Sequence, residues 1–318
     1  MSITRTLRSP AVRWLLLTVT FGFIAIEISK QWDEVRTAAS TLRVHWGYIA
    51  MASAVVLGTY GVLIQSWRLL LAGWGGSLPY PAAVRIWTVA NLGRYLPGKV
   101  WTIGALGVLA SREGVSGLAA AGAGILGTLL NIGAGFAVAV IAGAEGVDRI
   151  YPGLRSFALI GTLAFIVGVA LLPALLPAIL DRYARWRGGV VAEQHLSRRT
   201  VWIAALINAT SWIGYGLAFA LFARGVLPHL TISPAVFIAA YAASYLVGFL
   251  ALFSPGGFGV RELALTAILV ALGAAGRGDA VLLGATSRVW LTVLEVLPGL
   301  IGLLVMPRGQ RASLGQSA

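Results

Sequence analysis

Apolar runs of membrane-spanning length recur along this chain, and they constrain its fold more than any other feature. A helix needs about 20 apolar residues to cross the hydrocarbon core of a bilayer. Lipid cannot satisfy backbone polar groups, so continuous apolar runs of this length fold as helices. The sequence is 58% hydrophobic and only 11% charged, whereas a soluble domain carries about 25% charged residues. We therefore predict an all-α polytopic membrane protein, with apolar runs at 12–28, 47–63, 118–143, 157–180 and 201–222.

Two segments that lie half a chain apart interrupt these runs at a Pro-Gly pair. The first contains Pro97 and Gly98, and the second contains Pro255 and Gly256. Proline lacks the backbone N–H that a helix needs, and glycine adopts conformations that other residues avoid. In a membrane chain, paired interruptions at corresponding positions of two halves indicate a substrate site. We predict that Pro97, Gly98 and Pro255 are hinge or break positions.

The breaks divide the chain into two repeats within a single transmembrane domain, residues 1–318. Repeat A covers about 10–144 and repeat B about 154–306, and residues 307–318 are predicted to form a cytoplasmic tail. The predicted architecture is about six full transmembrane helices plus two Pro-Gly-broken helical hairpins, arranged as two inverted repeats. The hairpins are re-entrant in this arrangement, but fully spanning helices fit the same positions of the chain termini.

Cationic residues concentrate on one side of this predicted topology. The formal net charge of +13 would suit a nucleic-acid partner, but the distribution follows the positive-inside rule instead. Both termini are therefore predicted to be cytoplasmic, in a multi-pass protein of the bacterial cytoplasmic (inner) membrane, and no nucleic-acid partner is expected. The cation-rich inner segments are 1–13, 68–85, 111–116, 181–200 and 307–318.

The sequence offers little for catalysis or for a metal site. It has no cysteine, and His45, His195 and His229 lie in predicted loops without metal-ligand spacing. The Asp33-Glu34 pair would suit a glycosyltransferase, but it is more typical of a solvated membrane interface. We predict that the protein is not an enzyme and has no cofactor and no metal. The sequence has no ATP-binding loop, so transport would be ion-coupled, driven by a lipid gradient, or passive.

Charged residues lie beside both breaks and in the last apolar run. A charge at the centre of a membrane helix costs about 2.5–3.5 kcal/mol, unless it pairs, lines a polar cavity or snorkels from a helix end. Arg288 and Glu295 share one helix face, and we expect them to pair with the second Pro-Gly segment. Backbone N–H groups at the start of the helix after that segment suit an anion such as phosphate. The predicted substrate-binding residues are Arg94, Lys99, Gly256, Gly257, Gly259, Arg261, Glu262, Arg288 and Glu295.

Two motifs carry a resemblance to a known family. G-R-Y-x-P-G-K at 93–99 and S-P-G-G-x-G-x-R-E at 254–262 resemble the lysylphosphatidylglycerol synthase transmembrane-domain family, also called the flippase-like domain family. The resemblance covers roughly 10–306 and implies a membrane region that moves aminoacylated phosphatidylglycerol between leaflets. Because the soluble synthase domain of bifunctional members has no counterpart here, we expect a stand-alone member without synthase activity. The matching motif positions are Arg94, Pro97, Gly98, Lys99, Pro255, Gly256, Gly257, Gly259, Arg261 and Glu262.

The buried charges and the resemblance together favour a lipid flippase or scramblase. Its substrate would be an anionic or aminoacylated phospholipid or a polyprenyl-phosphate-linked lipid, with Arg94, Lys99 and Arg261 on the phosphate. Glu262 or Glu295 would balance charge, bind a cationic headgroup or carry a coupling proton. One alternative is a secondary transporter of a small soluble anion. Another is a non-catalytic membrane partner of a separate lipid-modifying synthase or glycosyltransferase.

Overall fold

The described part of the chain is helical from end to end. The computed structural model describes residues 44–95, 100–144, 153–187, 196–251 and 254–305. Within these ranges it has nine α-helices and two 3₁₀ turns, Leu92–Tyr95 and Pro255–Gly257. The predicted run at 12–28 and the predicted tail at 307–318 lie outside the described residues. The α-helices are α1 (Trp46–Ala72), α2 (Tyr80–Asn91), α3 (Trp101–Ser111), α4 (Gly117–Ala142), α5 (Leu154–Arg187), α6 (Arg198–Val226), α7 (Pro234–Leu250), α8 (Val260–Ala271) and α9 (Arg277–Val305).

Five helices are long and apolar enough to cross a bilayer. They are α1, α4, α6 and α9 over their full lengths, together with Ala158–Leu175 of α5. Their outward faces carry large apolar side chains: Leu118 is 73% exposed, Ile141 67% and Leu304 70%. A soluble protein rarely leaves so much apolar surface in water. The structure therefore confirms a multi-pass, all-helical membrane protein.

Local sequence signals place several helix starts. Ser116, Ser197 and Ser233 cap α4, α6 and α7, where each hydroxyl accepts a hydrogen bond from an N–H of the first turn. A serine at this position satisfies a donor that the helix itself leaves free. Pro234 follows Ser233 as the first residue of α7, where the missing N–H of proline costs nothing.

The helices on either side of each break are short. Near the first break, α2 has 12 residues and α3 has 11. At the second break, α7 has 17 residues and α8 has 12. A helix of 12 residues extends about 18 Å, well short of the roughly 30 Å of hydrocarbon in a bilayer. The chain thus breaks at Pro255 as predicted, whereas Pro97 and Gly98 lie outside the described residues.

The Leu92–Tyr95 turn and the Pro255–Gly257 turn contact each other. Around them the packing follows one pattern twice: α4 packs on α3 and α7, and α9 packs on α8 and α2. Helices α1 and α6, which precede the two broken segments, pack on each other.

Glycine permits the tightest of these approaches at the second break. A Cβ at Gly248 would lie 2.8 Å from the Cβ of Arg261 on the neighbouring helix. Gly257 has a positive φ of 72°, and a Cβ there would lie 3.0 Å from the carbonyl oxygen of Gly248. The end of α7 therefore lies directly against the start of α8, which positions Arg261 between the two helices.

Candidate functional site

A cavity of about 250 Å³ lies beside the two breaks. Residues from α1, α2, α3, α4, α6, α7, α8 and α9 and from both 3₁₀ turns line it. Its charged lining residues, among those that the structure describes, are three arginines and one glutamate, so positive charge is in excess. They are Arg94, Arg261, Arg288 and Glu295.

The first break is tied to the last helix by a charged network. Arg94 Nη1 donates to Glu295 Oε1 at 2.7 Å, and Arg94 Nη2 donates to Asn91 Oδ1 at 3.0 Å. The Tyr95 hydroxyl donates to Glu295 Oε2 at 2.6 Å. Both carboxylate oxygens of Glu295 are thereby occupied by residues of one 3₁₀ turn. Charge-assisted hydrogen bonds of this length are among the strong ones in proteins.

The second break ends in a helix cap that is closed from within. Glu262, in the first turn of α8, accepts a hydrogen bond at Oε2 from the Gly259 N–H at 2.7 Å. This is one half of the reciprocal capping arrangement that Glu favours three residues after a helix N-cap. The Gly257 N–H donates to Ser254 O at 3.2 Å.

These two hydrogen bonds correct one expectation. The N–H groups of Gly257 and Gly259 were predicted to face a ligand, but in the structure each has a partner within the chain. At Gly259 the physical reason is Glu262, because its carboxylate occupies the place that an external anion would take at a helix N-terminus. At Gly257 the tight turn brings the Ser254 carbonyl oxygen within reach instead. Gly259 and Glu262 do not line the cavity, whereas Gly256 and Gly257 do.

Arg288 reaches the second break from α9. Its Nε lies 3.7 Å from Glu262 Oε1, and its guanidinium lies over the Phe258 ring, 3.9 Å from the centroid. No residue in the described ranges accepts a hydrogen bond from Arg288 Nε or Nη2, both of which are buried. Arg288 thus pairs with the second Pro-Gly segment, as predicted. Glu295 lies on the same face of α9 but pairs with Arg94 beside the first segment, so the predicted pairing is wrong for Glu295.

Arg261 is the most buried cation of the site, at 4% exposure. Its guanidinium lies over two aromatic rings, 4.9 Å from the Tyr241 centroid and 5.4 Å from the Tyr245 centroid. Its Nη2 has no hydrogen-bond partner among the described residues. The aromatic faces supply cation–π attraction but accept few hydrogen bonds. Arg261 therefore keeps donor capacity beside the cavity that it lines.

Aromatic and neutral polar side chains complete the lining, although none of them was among the predicted site residues. Rings of Trp67, Trp87, Trp212, Tyr215 and Tyr245 form its walls. At another part of the lining lie Ser66, Asn131 and Asn208. Asparagines inside long apolar helices were a usable signal, because an amide in a membrane interior needs a partner.

The predicted site residues divide into four groups. The structure brings six of them to one cavity, whereas Gly259 and Glu262 are not among its lining residues. Pro255 begins the second 3₁₀ turn, and Lys99, Pro97 and Gly98 lie outside the described residues. The six that line the cavity are Arg94, Gly256, Gly257, Arg261, Arg288 and Glu295.

The fold and the site together define a polytopic α-helical membrane protein with a charged internal cavity at two helix breaks. Residues 12–299 match the family described as the lysylphosphatidylglycerol synthase TM region. This match covers most of the chain, so the protein belongs to that family, as its two motifs predict. The chain has no significant match among curated proteins.

Proposed function

We propose that this protein is a lipid flippase or scramblase of the bacterial cytoplasmic membrane. Its substrate is an anionic or aminoacylated phospholipid or a polyprenyl-phosphate-linked lipid, and the cavity holds the headgroup during transfer between leaflets. Family membership supports a membrane role connected with lipids. The observation that carries the proposal concerns Arg261. This arginine is buried, lines the cavity and has a guanidinium nitrogen without a hydrogen-bond partner among the described residues.

A buried arginine without an anion is costly, because desolvation of the charge goes uncompensated. Guanidinium is also the group whose fixed donors best match a phosphate. The cavity has a surplus of positive charge, since Arg261 and Arg288 line it while Glu295 is engaged by Arg94. An anionic headgroup therefore fits this lining better than a neutral or cationic one.

The arrangement of the two breaks supports a transfer path. The flanking helices are too short to cross a bilayer by themselves, and the packing around the two breaks follows the same pattern twice. We take the broken segments to be re-entrant hairpins of two inverted repeats, entering from opposite leaflets and meeting at the cavity. With both termini cytoplasmic, each leaflet would then have a polar half-site of its own.

No covalent step is part of this proposal, so the protein would act as a transporter and not as an enzyme. A polar headgroup meets a large barrier in hydrocarbon because its charge loses hydration. Charged and aromatic walls would lower that barrier by replacing part of the hydration shell. A separate synthase or glycosyltransferase would supply the lipid that this protein moves.

The test is a headgroup-accessibility assay in proteoliposomes. Labelled anionic phospholipid, aminoacyl-phosphatidylglycerol and a polyprenyl phosphate are each compared in wild type, Arg261→Gln and a matched control, Arg224→Gln. Arg224 is exposed in the last turn of α6, so its variant controls for loss of one arginine charge. We expect rapid loss of asymmetry for at least one lipid, slowed by about tenfold or more in R261Q and unchanged in R224Q.

Two results would contradict the proposal at different levels. Full activity of folded R261Q would remove Arg261 from the transfer path. Flat traces for every lipid with folded wild-type protein would exclude lipid translocation and favour transport of a small soluble anion.

A further inference from the structure

Three helices are joined across the cavity by a chain of neutral polar side chains, distinct from the charged residues. Asn131 Nδ2 on α4 donates to Asn208 Oδ1 on α6 at 2.9 Å. Asn208 Nδ2 in turn donates to Ser66 Oγ on α1 at 3.0 Å and to the backbone oxygen of Ala204 at 2.8 Å. We call Ser66, Asn131 and Asn208 the amide cluster.

The two asparagines of the amide cluster differ in how many of their side-chain hydrogen-bonding groups have partners. Asn208 is 2% exposed and uses both N–H groups and its carbonyl oxygen, so its role in joining the helices is complete. Asn131 is less buried and uses a single N–H in its bond to Asn208. Its side-chain oxygen and the second N–H of its side chain have no partner within the described ranges. The residue also lines the cavity. An amide has two donors and an acceptor in one plane.

Helix packing alone does not account for Asn131. The bond to Asn208 joins α4 to α6 and uses one N–H of Asn131, but this helix contact leaves the other N–H and the side-chain oxygen of Asn131 without partners among the described residues. A polar group with unused donors in a membrane interior raises the free energy of the fold. Such groups belong where a ligand or water completes their hydrogen bonds. Thr128, one turn before Asn131 on α4, and Thr102 on α3 add hydroxyls to the same lining.

A continuous aromatic wall connects the amide cluster to the charged residues. The Trp212 indole N–H donates to the backbone oxygen of Asn131 at 2.8 Å. The Trp212 ring lies 5.2 Å from the Tyr245 ring, and Arg261 lies over Tyr245. Two rings thus separate Asn131 from Arg261 along one wall. A single ligand that spans the cavity beside this wall would meet a cation at one end and an amide at the other.

The chemistry of the two ends differs, and this difference names a ligand class. The charged end suits a phosphate, whereas Asn131 offers a neutral donor beside a neutral acceptor. A hydroxyl both donates and accepts, so hydroxyl groups complement this amide. A carboxylate or an ammonium would satisfy only one side of it.

We infer that Asn131 selects lipids whose phosphate carries a hydroxyl-bearing headgroup, a glycerol or a sugar. This inference rests on the proposed lipid function and deepens it by naming the headgroup class. The hydroxyls bind at the amide cluster while the phosphate lies near Arg261. A lipid with the same charge but without hydroxyls leaves Asn131 unsatisfied and binds more weakly.

Matched pairs of lipids test this inference by equilibrium binding in detergent. The first pair is phosphatidylglycerol and phosphatidylpropanol, which have the same charge and differ in the headgroup hydroxyls. The second pair is a polyprenyl-phosphate sugar and a polyprenyl methyl phosphate, which are both phosphodiesters with one negative charge and differ in the sugar hydroxyls. We expect wild type to prefer the hydroxylated member of at least one pair by about tenfold, as loss of one good hydrogen bond implies. The preferred pair distinguishes a glycerol headgroup from a sugar.

Variants locate the preference. Asn131→Leu keeps the number and branching of the side-chain heavy atoms and removes both hydrogen-bonding groups, so it should bind the two members of the preferred pair equally. Thr210→Val is the matched control, since Thr210 is exposed on α6 and bonds only to its own helix; it should keep the wild-type preference. Asn131→Ser keeps one hydrogen-bonding group at this position and should show part of the wild-type preference. It provides the test if N131L does not fold.

The outcomes separate this inference from the proposed function. Equal binding of both members by wild type, absence of lipid binding, or a full preference in folded N131L would each overturn the role of Asn131. A preference in binding without any translocation in proteoliposomes would support hydroxyl selection and contradict the flippase proposal. Competition by soluble glycerol 3-phosphate as strong as that by phosphatidylglycerol would overturn a lipid as the ligand.

Discussion

The two Pro-Gly breaks each place an arginine at the same cavity, but they hold it in different ways. At the first break, Arg94 donates to a carboxylate and to an amide, from Glu295 and Asn91. At the second, Arg261 lies on two tyrosine rings and keeps an unpaired nitrogen. Arg94 is half-buried, whereas Arg261 is buried, at 4% exposure. The more deeply buried arginine is thus the one with fewer hydrogen bonds.

This contrast indicates a division of roles between the breaks. A carboxylate partner neutralises Arg94 and fixes the first 3₁₀ turn to α9, so its donors are used in holding the fold. Aromatic faces hold Arg261 in position without neutralising it, so its charge remains for an anion. On this division, the first break contributes mainly to stability and the second mainly to ligand binding.

The largest expected effect is on the free energy of unfolding of Arg94→Met. Removing Arg94 leaves the largely buried Glu295 carboxylate without its cation, which costs about 3 kcal/mol at the low end for broken buried pairs. Arg261→Met should change stability by only about 1 kcal/mol in either direction, because lost cation–π attraction opposes the relief of an unpaired buried charge. Reversible unfolding by SDS titration in mixed micelles measures both.

Ligand binding should give the opposite ranking. R261M should lose binding of an anionic lipid in detergent while remaining folded, and R94M should keep more of it once corrected for the folded fraction. Equal stability losses in the two variants would contradict the division of roles. A stability loss confined to R261M would reverse it.

An intermediate effect is expected from double-mutant cycles on the two ion pairs. The Arg94–Glu295 contact is a 2.7 Å hydrogen bond, so its coupling energy should be about 2 kcal/mol. Arg288 and Glu262 approach to 3.7 Å, beyond hydrogen-bond distance, and their coupling should stay below about 1 kcal/mol. Arg→Met and Glu→Gln substitutions, singly and together, supply both cycles in the same SDS titration. A larger coupling energy for Arg288–Glu262 than for Arg94–Glu295 would mean that the stronger ion pair lies at the second break, which contradicts the division of roles.

Sequence patterns were sufficient for the fold class because the bilayer admits few solutions. Apolar runs of helix-spanning length have to become helices, and the structure confirms four of them in α1, α4, α5 and α6. Helix α7 also ends at Leu250, shortly before the predicted break at Pro255. Helix pairing was harder to predict, since small residues allow many close approaches and the sequence does not rank them.

The candidate site was predicted in its charges but not in its partners. Charges in apolar segments signal a polar interior, so the arginines that line the cavity stood out. The sequence did not show that Glu295 would cross to the first break, because that depends on how α9 packs on α2. Nor did it show that Glu262 would cap its own helix and occupy the nearby N–H groups. Aromatic residues such as Tyr245 carry no such signal, since packing and ligand binding favour the same ring.

The smallest expected effect comes from Tyr95→Phe, and it sharpens the comparison of the two glutamates. The Tyr95 hydroxyl donates a hydrogen bond to Glu295 Oε2 at 2.6 Å. In the same way, the Gly259 backbone N–H donates a hydrogen bond to Glu262 Oε2 at 2.7 Å. Only the former can be removed by a side-chain substitution. Y95F should lower the free energy of unfolding by about 1 kcal/mol, because the bond is to a charged but partly exposed pair.

Tyr80→Phe is the matched control for this prediction, since the Tyr80 hydroxyl bonds to the neutral backbone oxygen of Gly61 at 2.9 Å in an exposed position. Its loss should cost less than about 0.5 kcal/mol. In the R94M background, Y95F should cost more than in wild type, because Tyr95 is then the remaining donor to Glu295 in the 3₁₀ turn. Equal effects of Y95F in both backgrounds would mean that the first break does not act as one network, and its contrast with the second would lose its basis.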